Sequence, residues 1–190
     1  MNSLNQVKGE QIHNRNINIS TFDCKKGGII VEGELKDNRL KSYHKISGEK
    51  ALPGVVHHMI IRMHVMGAGL AIKDIEAEMP EVPRDECRET INSLNIVKGM
   101  NISPGFTVRV KTVLGGPTGC SHLAALLLAM APAAVQGYWA HYARKPLPDE
   151  FSTDLMNQYL IDTCWVWRRE GKFAQELLEK AEGRKKGGSP

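Results

Sequence analysis

Side chains able to do chemistry are sparse in this chain, and the segment that gathers them most tightly is Gly119-Cys120-Ser121-His122-Leu123. Cys120 follows the run Gly115-Gly116-Pro117-Thr118-Gly119 and stands where an apolar helix should begin. Unpaired amides and the helix dipole at such a start favour an anion, so a thiolate there is stabilised as a nucleophile or a metal ligand. The plainer alternative is a small buried hydrophobe after a tight turn. His122 lies two residues on, and two positions on a regular helix point in opposed directions. The pair can share a task only if Cys120 belongs to the preceding loop.

His57 and His58 open an apolar strand, where alternation sends them to opposite faces and leaves one pointing inward. An inward histidine is either a hydrogen-bonded core residue or a ligand. Cys87 falls in the first turns of a helix after Pro83, a second place that tolerates a thiolate, although core packing explains it equally. Asp74 and Glu76 share a strand face and, with Glu78 and Glu81, read as a solvated acidic edge rather than an acid-base pair. Asp162, Cys164, Trp165, Trp167 and Arg168 form a mixed cluster on a late helical region, which tryptophan packing explains without chemistry. Cys24 has no evident partner.

The elements that must position these residues read as strands first and helices later. Ile17 and Ile19 alternate with polar neighbours, and Ile29, Val31, Gly33 and Leu35 follow a Lys26-Gly27-Gly28 turn, which predicts two short strands. A loop is expected from Lys36 to Pro53. Val55–Val65 and Leu70–Met79 form the clearest hairpin, joined through Met66-Gly67-Ala68-Gly69. A helical stretch opens at Pro83 and runs to about Leu94. Phe106, Val108 and Val110 alternate beyond Pro104-Gly105. From Cys120 the residues Leu123, Ala124, Leu126, Leu127, Met130 and Ala134 are too continuous for a surface helix, so this helix should lie in the core, kinked or divided at Pro132. Pro146-Leu147-Pro148 separates it from a last helical region, Phe151 to Glu182, interrupted near Gly171. The expected fold is therefore α+β, with an antiparallel sheet of about four strands followed by packed helices.

With 190 residues, 42% of them hydrophobic, the chain suits one core: a single domain over residues 11–182, a disordered tail over 1–10 and a disordered basic tail over 183–190. The polar start Met1-Asn2-Ser3-Leu4-Asn5-Gln6 lacks the basic and apolar regions of a secretory signal, so a cytoplasmic location is expected. No stretch reaches the roughly 20 consecutive apolar residues of a membrane helix. Four scattered cysteines without a CxxC pair leave free thiols or metal ligands as their roles. The net charge of +4 sits largely in the tail, and no basic stripe is interleaved with aromatics, which argues against nucleic acid as a partner.

Val56-His57-His58-Met59, Asp74-Ile75-Glu76-Ala77, Cys87, Ser103-Pro104-Gly105-Phe106, Leu114-Gly115-Gly116 and Gly119-Cys120-Ser121-His122-Leu123 occur in an order that resembles the uncharacterised bacterial family catalogued as domain of unknown function 2889 (DUF2889). The likeness runs from about Ile12 to Arg168. The family usually reads Gly-Cys-Thr-His-Leu at the last motif, from which Ser121 departs mildly, and His-Asp-Met near the strand, where His58 replaces an acid. The family brings no assigned function. A more distant similarity is to iron-sulfur scaffold proteins of the NifU and IscU type. It rests on a strand hairpin opened by a ligand, on Val97-Lys98-Gly99, and on Cys120-Ser121 with Leu123 at the head of a small-residue helix. That similarity implies a NifU/IscU-like fold and places His57, Cys87 and Cys120 at three converging ligand positions, although the first scaffold cysteine is absent.

Three functions are compatible with these residues. One is a metal-binding domain holding zinc, iron or an iron-sulfur cluster on His57, Cys87 and Cys120, with His122 or an acid as fourth ligand. Another is a thiol enzyme with Cys120 as nucleophile and His122 or His57 as base, acting on a small molecule. The third is a non-enzymatic adaptor whose cysteines only pack and whose tryptophans and strand face meet a protein partner.

Overall fold

The computed structural model describes residues 3–144 and 153–187. Four long strands, β1 (His13–Asp23), β2 (Ile29–Arg39), β5 (Gly54–Met66) and β6 (Ala71–Glu81), form one antiparallel sheet in the order β1-β2-β5-β6, and β3 (Tyr43–His44) pairs with β4 (Lys50–Ala51) in a small separate hairpin. The expected α+β class and four-stranded sheet are what the chain adopts.

One face of the sheet carries the core. In β2 the residues Ile29, Val31, Gly33, Leu35 and Asp37 alternate inward, and in β5 Met59, Ile61, Met63 and Val65 do the same. This is the period of two that a half-covered antiparallel sheet demands. The strand therefore does not stop at Leu35: polar Lys36, Asp37 and Asn38 are paired with both neighbouring strands, and β2 continues to Arg39. The loop expected from Lys36 to Pro53 is thus shorter than its polarity suggested, because backbone pairing on two sides outweighs local turn propensity.

Covering the sheet are a 3-10 segment (Asp85–Val97), α1 (Phe106–Leu114) and α2 (Ser121–Tyr142). Phe106, Val110 and Leu114 are buried while Val108 is exposed, so the run that reads as alternating is a helix with its apolar face at i, i+4 and i+8. Three apolar residues two apart satisfy both periods, and the helical spacing decides. α2 is continuous through Pro132, which lies on its exposed side, rather than divided there. By length and composition α2 is the one described helix able to cross a membrane. Here its Leu123, Leu126, Leu127, Met130 and Ala134 are buried in the core, and it packs on β1, β2 and β5.

Two glycines set how closely α2 approaches. A Cβ on Gly33 would sit 2.7 Å from Met130 Sδ and 3.0 Å from Leu126 Cδ1, and one on Gly137 would sit 2.3 Å from Thr21 Oγ1. Helix and sheet meet where side chains are missing. These contacts set how closely the body of α2 lies on β1 and β2.

Beyond α2, α3 (Thr153–Tyr159) and α4 (Lys172–Gly187) are separated by an irregular segment, not a continuous helix broken only at Gly171. Trp165 and Cys164 lie in that segment and are exposed, with Arg168 stacked over the Trp165 ring. The expected start at Phe151 and the Pro146-Leu147-Pro148 separator lie outside the described residues. α4 runs through Arg184 to Gly187, into the basic stretch expected to be a tail.

Candidate metal centre

At the end of the sheet nearest the start of α2, one row of cross-strand partners reads Arg15, Asp37, His57. Arg15 pairs in register with Asp37 across β1 and β2, and Asp37 pairs with His57 across β2 and β5. Directly opposite residues of adjacent strands bring their side chains together. The β2–β5 register shifts at Asp37/Asn38, a bulge that ends the regular ladder next to this row.

Asp37 is the centre of the arrangement and is 4% exposed, the one buried charged residue among those described. Arg15 donates from Nε to Oδ1 and from Nη2 to Oδ2, each at 2.7 Å. His13 Nε2 lies 3.4 Å from Oδ1. His57 Nδ1 lies 3.1 Å from Oδ2, and His122 Nε2 reaches the same oxygen at 3.6 Å. The Arg15 hydrogen bonds hold the Asp37 carboxyl at a pKa of about 2, against the opposing cost of burial. His57 also lies below its ordinary value, but from its own burial, which outweighs the attraction of Asp37 and disfavours the charged ring. The ring therefore favours its neutral form, as a metal ligand or a general base must.

His122 enters from above. It lies in the first turn of α2, and its ring stacks on that of His57 with centroids 3.7 Å apart and planes 26° from parallel. Cys120 is the residue before the helix, with extended backbone (φ −97°, ψ 125°). Being outside the helix frees its thiol from the opposed direction that helical spacing imposes, and Sγ lies 3.8 Å from His122 Nδ1. Burial pushes the Cys120 thiol up, but the His122 ring and the amides of Leu123 and His122 outweigh it and leave the pKa below the ordinary thiol value.

Asp37, His57 and His122 are the group among the described residues whose ligand atoms all lie within 4.8 Å of one another. Of the four expected ligands, two are gathered here. Cys120 approaches His122 from Nδ1, whereas Asp37 faces Nε2, so the thiol backs the ring rather than converging with the carboxylate. Cys87 packs, partly buried, against the core and joins no such group. His58 takes the opposite face of β5, as alternation requires, and bonds Glu34 Oε1 at 2.8 Å. Asp74 and Glu76 are engaged by Lys98 and Arg62. All four cysteines are free thiols.

Asp37, Arg15 and His13 were not among the expected site residues. The signal for Asp37 was present: it is the next inward position after Ile29, Val31, Gly33 and Leu35. A carboxylate there has to be buried, and a buried carboxylate has to be paired.

No curated protein and no solved structure matches the chain. The likeness to NifU- and IscU-type scaffolds consequently gains no support, and among the described residues the ligand atoms found close together are those of Asp37, His57 and His122. A family profile described as "Protein of unknown function (DUF2889)" matches residues 13–136, a span that includes every residue of the cluster. The chain belongs to that family.

Proposed function

We propose that this protein binds a divalent transition metal through Asp37 Oδ2, His57 Nδ1 and His122 Nε2. The observation that carries the reading is the spacing about Asp37 Oδ2, 3.1 Å to one imidazole nitrogen and 3.6 Å to the other. Ligands on a tetrahedral ion with bonds of about 2.0 to 2.1 Å lie about 3.3 Å apart, so these distances bracket the edge of such a site. Two imidazoles and a carboxylate suit zinc or iron(II) better than calcium or magnesium, which take oxygen. Three protein ligands leave a position open for water or a substrate atom, the pattern of catalytic rather than structural centres. Cys120 serves as the partner of the remote nitrogen of His122, fixing the ring as outer partners of metal-binding histidines do.

The test is stoichiometric loading. After zinc or cobalt(II) loading and desalting, the wild type and Cys87→Ala are expected to retain about one ion per chain by elemental analysis, and His57→Ala and His122→Ala far less. A wild type that retains none, or histidine variants that retain as much, would overturn the proposal.

A second reading is favoured by the 3.8 Å contact between Cys120 Sγ and His122 Nδ1. With Asp37 at the other nitrogen, Cys120, His122 and Asp37 stand in the order nucleophile, base and orienting acid. This reading needs neither His57 nor a metal, so thiol chemistry that survives His57→Ala would favour it over the first.

A further inference from the structure

We propose that Arg15 is a latch on this site and sets which cations it accepts; the inference rests on the metal-binding reading above. The carboxylate that would hold the ion is already engaged. Arg15 Nη2 lies 2.7 Å from Oδ2, the oxygen that both imidazoles face, and Nε lies 2.7 Å from Oδ1. A cation at Oδ2 must share that oxygen with a guanidinium or displace it, and two positive charges a few ångströms apart repel strongly in a partly buried site.

The two partners differ in their freedom to move. The Asp37 side chain is 5% exposed and held inward on β2, between two strands. The Arg15 side chain is 40% exposed and sits on β1, the edge of the sheet. Arg15 can therefore swing into water without emptying a packed cavity, while Asp37 stays in place. When it does, His13 at 3.4 Å from Oδ1 remains beside the outer oxygen. The site has a latched state, with Arg15 on Asp37, and a loaded state, with the cation there and Arg15 in solvent.

Selectivity follows from what the latch neutralises. A hard cation draws its affinity from carboxylate oxygen, and the one carboxylate of the group is the one Arg15 holds. A borderline cation also gains two imidazole nitrogens that Arg15 does not touch. Arg15 therefore weakens all cations but penalises calcium and magnesium most, making it a specificity-determining residue rather than a ligand.

Cobalt(II), zinc and calcium are titrated separately into wild type, Arg15→Gln, Arg15→Lys and Arg39→Gln, with affinity read calorimetrically and folding by thermal melting. Arg39 is a neighbouring cation on β2 that stacks on Tyr43, and it controls for net charge. Arg15→Gln is expected to bind cobalt(II) and zinc about tenfold more tightly and to gain proportionally more for calcium. Arg39→Gln, which acts on His57 only through its charge and does not touch Asp37, should gain much less than Arg15→Gln. Arg15→Lys, which keeps the charge but loses the two-pronged grip, should fall between and decides the matter if the glutamine variant does not fold. Unchanged or weaker binding in both Arg15 variants, with the wild type still binding, overturns the latch and leaves the metal reading standing. No binding by wild type or any Arg15 variant overturns both.

Discussion

Asp37 and His57 face each other across β2 and β5, with the carboxylate oxygen Oδ2 3.1 Å from the imidazole nitrogen Nδ1. A buried acid is tolerated there because a cross-strand arginine lies on its other side, and a half-buried imidazole because it has an acceptor. Each member of the row Arg15, Asp37 and His57 makes the next one affordable in a part of the sheet that would otherwise be apolar.

Acid should weaken the fold through Asp37. Its pKa is about 2 in the folded protein against an ordinary 3.8. The folded state thus binds the proton less readily, and the stabilisation, roughly 2 kcal/mol, is present in full above the unfolded value and lost as pH falls through it toward the folded one. Urea melts at pH 6 and pH 3 should show wild type losing about 1 kcal/mol of it, roughly half, because pH 3 still lies above the folded value. In Asp37→Asn this pH dependence should shrink and stability at pH 6 should be lower by about 2 kcal/mol or more, because Arg15 loses its counter-charge. Equal pH slopes in the two proteins would contradict the assignment.

His57 should titrate below a free histidine. Burial disfavours its charged form, and Arg15 and Arg39 add to the effect. The depressed value means that the folded state resists protonation, so this histidine subtracts stability as pH drops through the ordinary range near 6.5. NMR titration of the imidazole carbons should place the His57 midpoint under that of a model peptide. A midpoint above it would mean that Asp37 dominates over burial.

Much of this was legible in the chain, and the part that was not has a physical cause. Alternation in Ile29 to Leu35 and Val55 to Val65 announced the sheet, and the unbroken apolar run after Cys120 announced the core helix. The expectation that His57 or His58 points inward was met by His57, and Cys120 does precede the helix, which is why it can touch His122. Asp37 was hidden because Lys36-Asp37-Asn38 looks like a turn. Only the two strands flanking β2 reveal that the polar run is still sheet. Arg15 was hidden because register between strands is a property of the fold. The irregular Trp165 segment defeated sequence periodicity because no helical face is buried there.

The distance between helix and sheet should matter to the site. Gly33 lies under Met130 and Leu126, and any Cβ there comes within 3.0 Å of both. Gly33→Val should cost about 1 to 3 kcal/mol by overpacking. It should also lift α2 and separate the His57 and His122 rings, which now stack at 3.7 Å. Loss of metal retention in a variant that still melts cooperatively would report this displacement, whereas full retention would show that the site does not depend on the approach.

Cys120 should be a reactive thiol. Burial raises its pKa, but His122 and the amides at the start of α2 lower it further, so the inflection of its alkylation rate should lie below that of a free cysteine peptide, near 8.5. His122→Ala should move the inflection upward. An unmoved inflection would remove His122 as the partner of the thiol.

The ligand set itself is the central claim, and X-ray absorption at the zinc edge of the zinc-loaded protein tests it most directly. Ligation by Asp37, His57 and His122 predicts only nitrogen and oxygen neighbours at about 2.0 to 2.2 Å. A sulfur neighbour at about 2.3 Å would contradict it and make Cys87 or Cys120 a ligand.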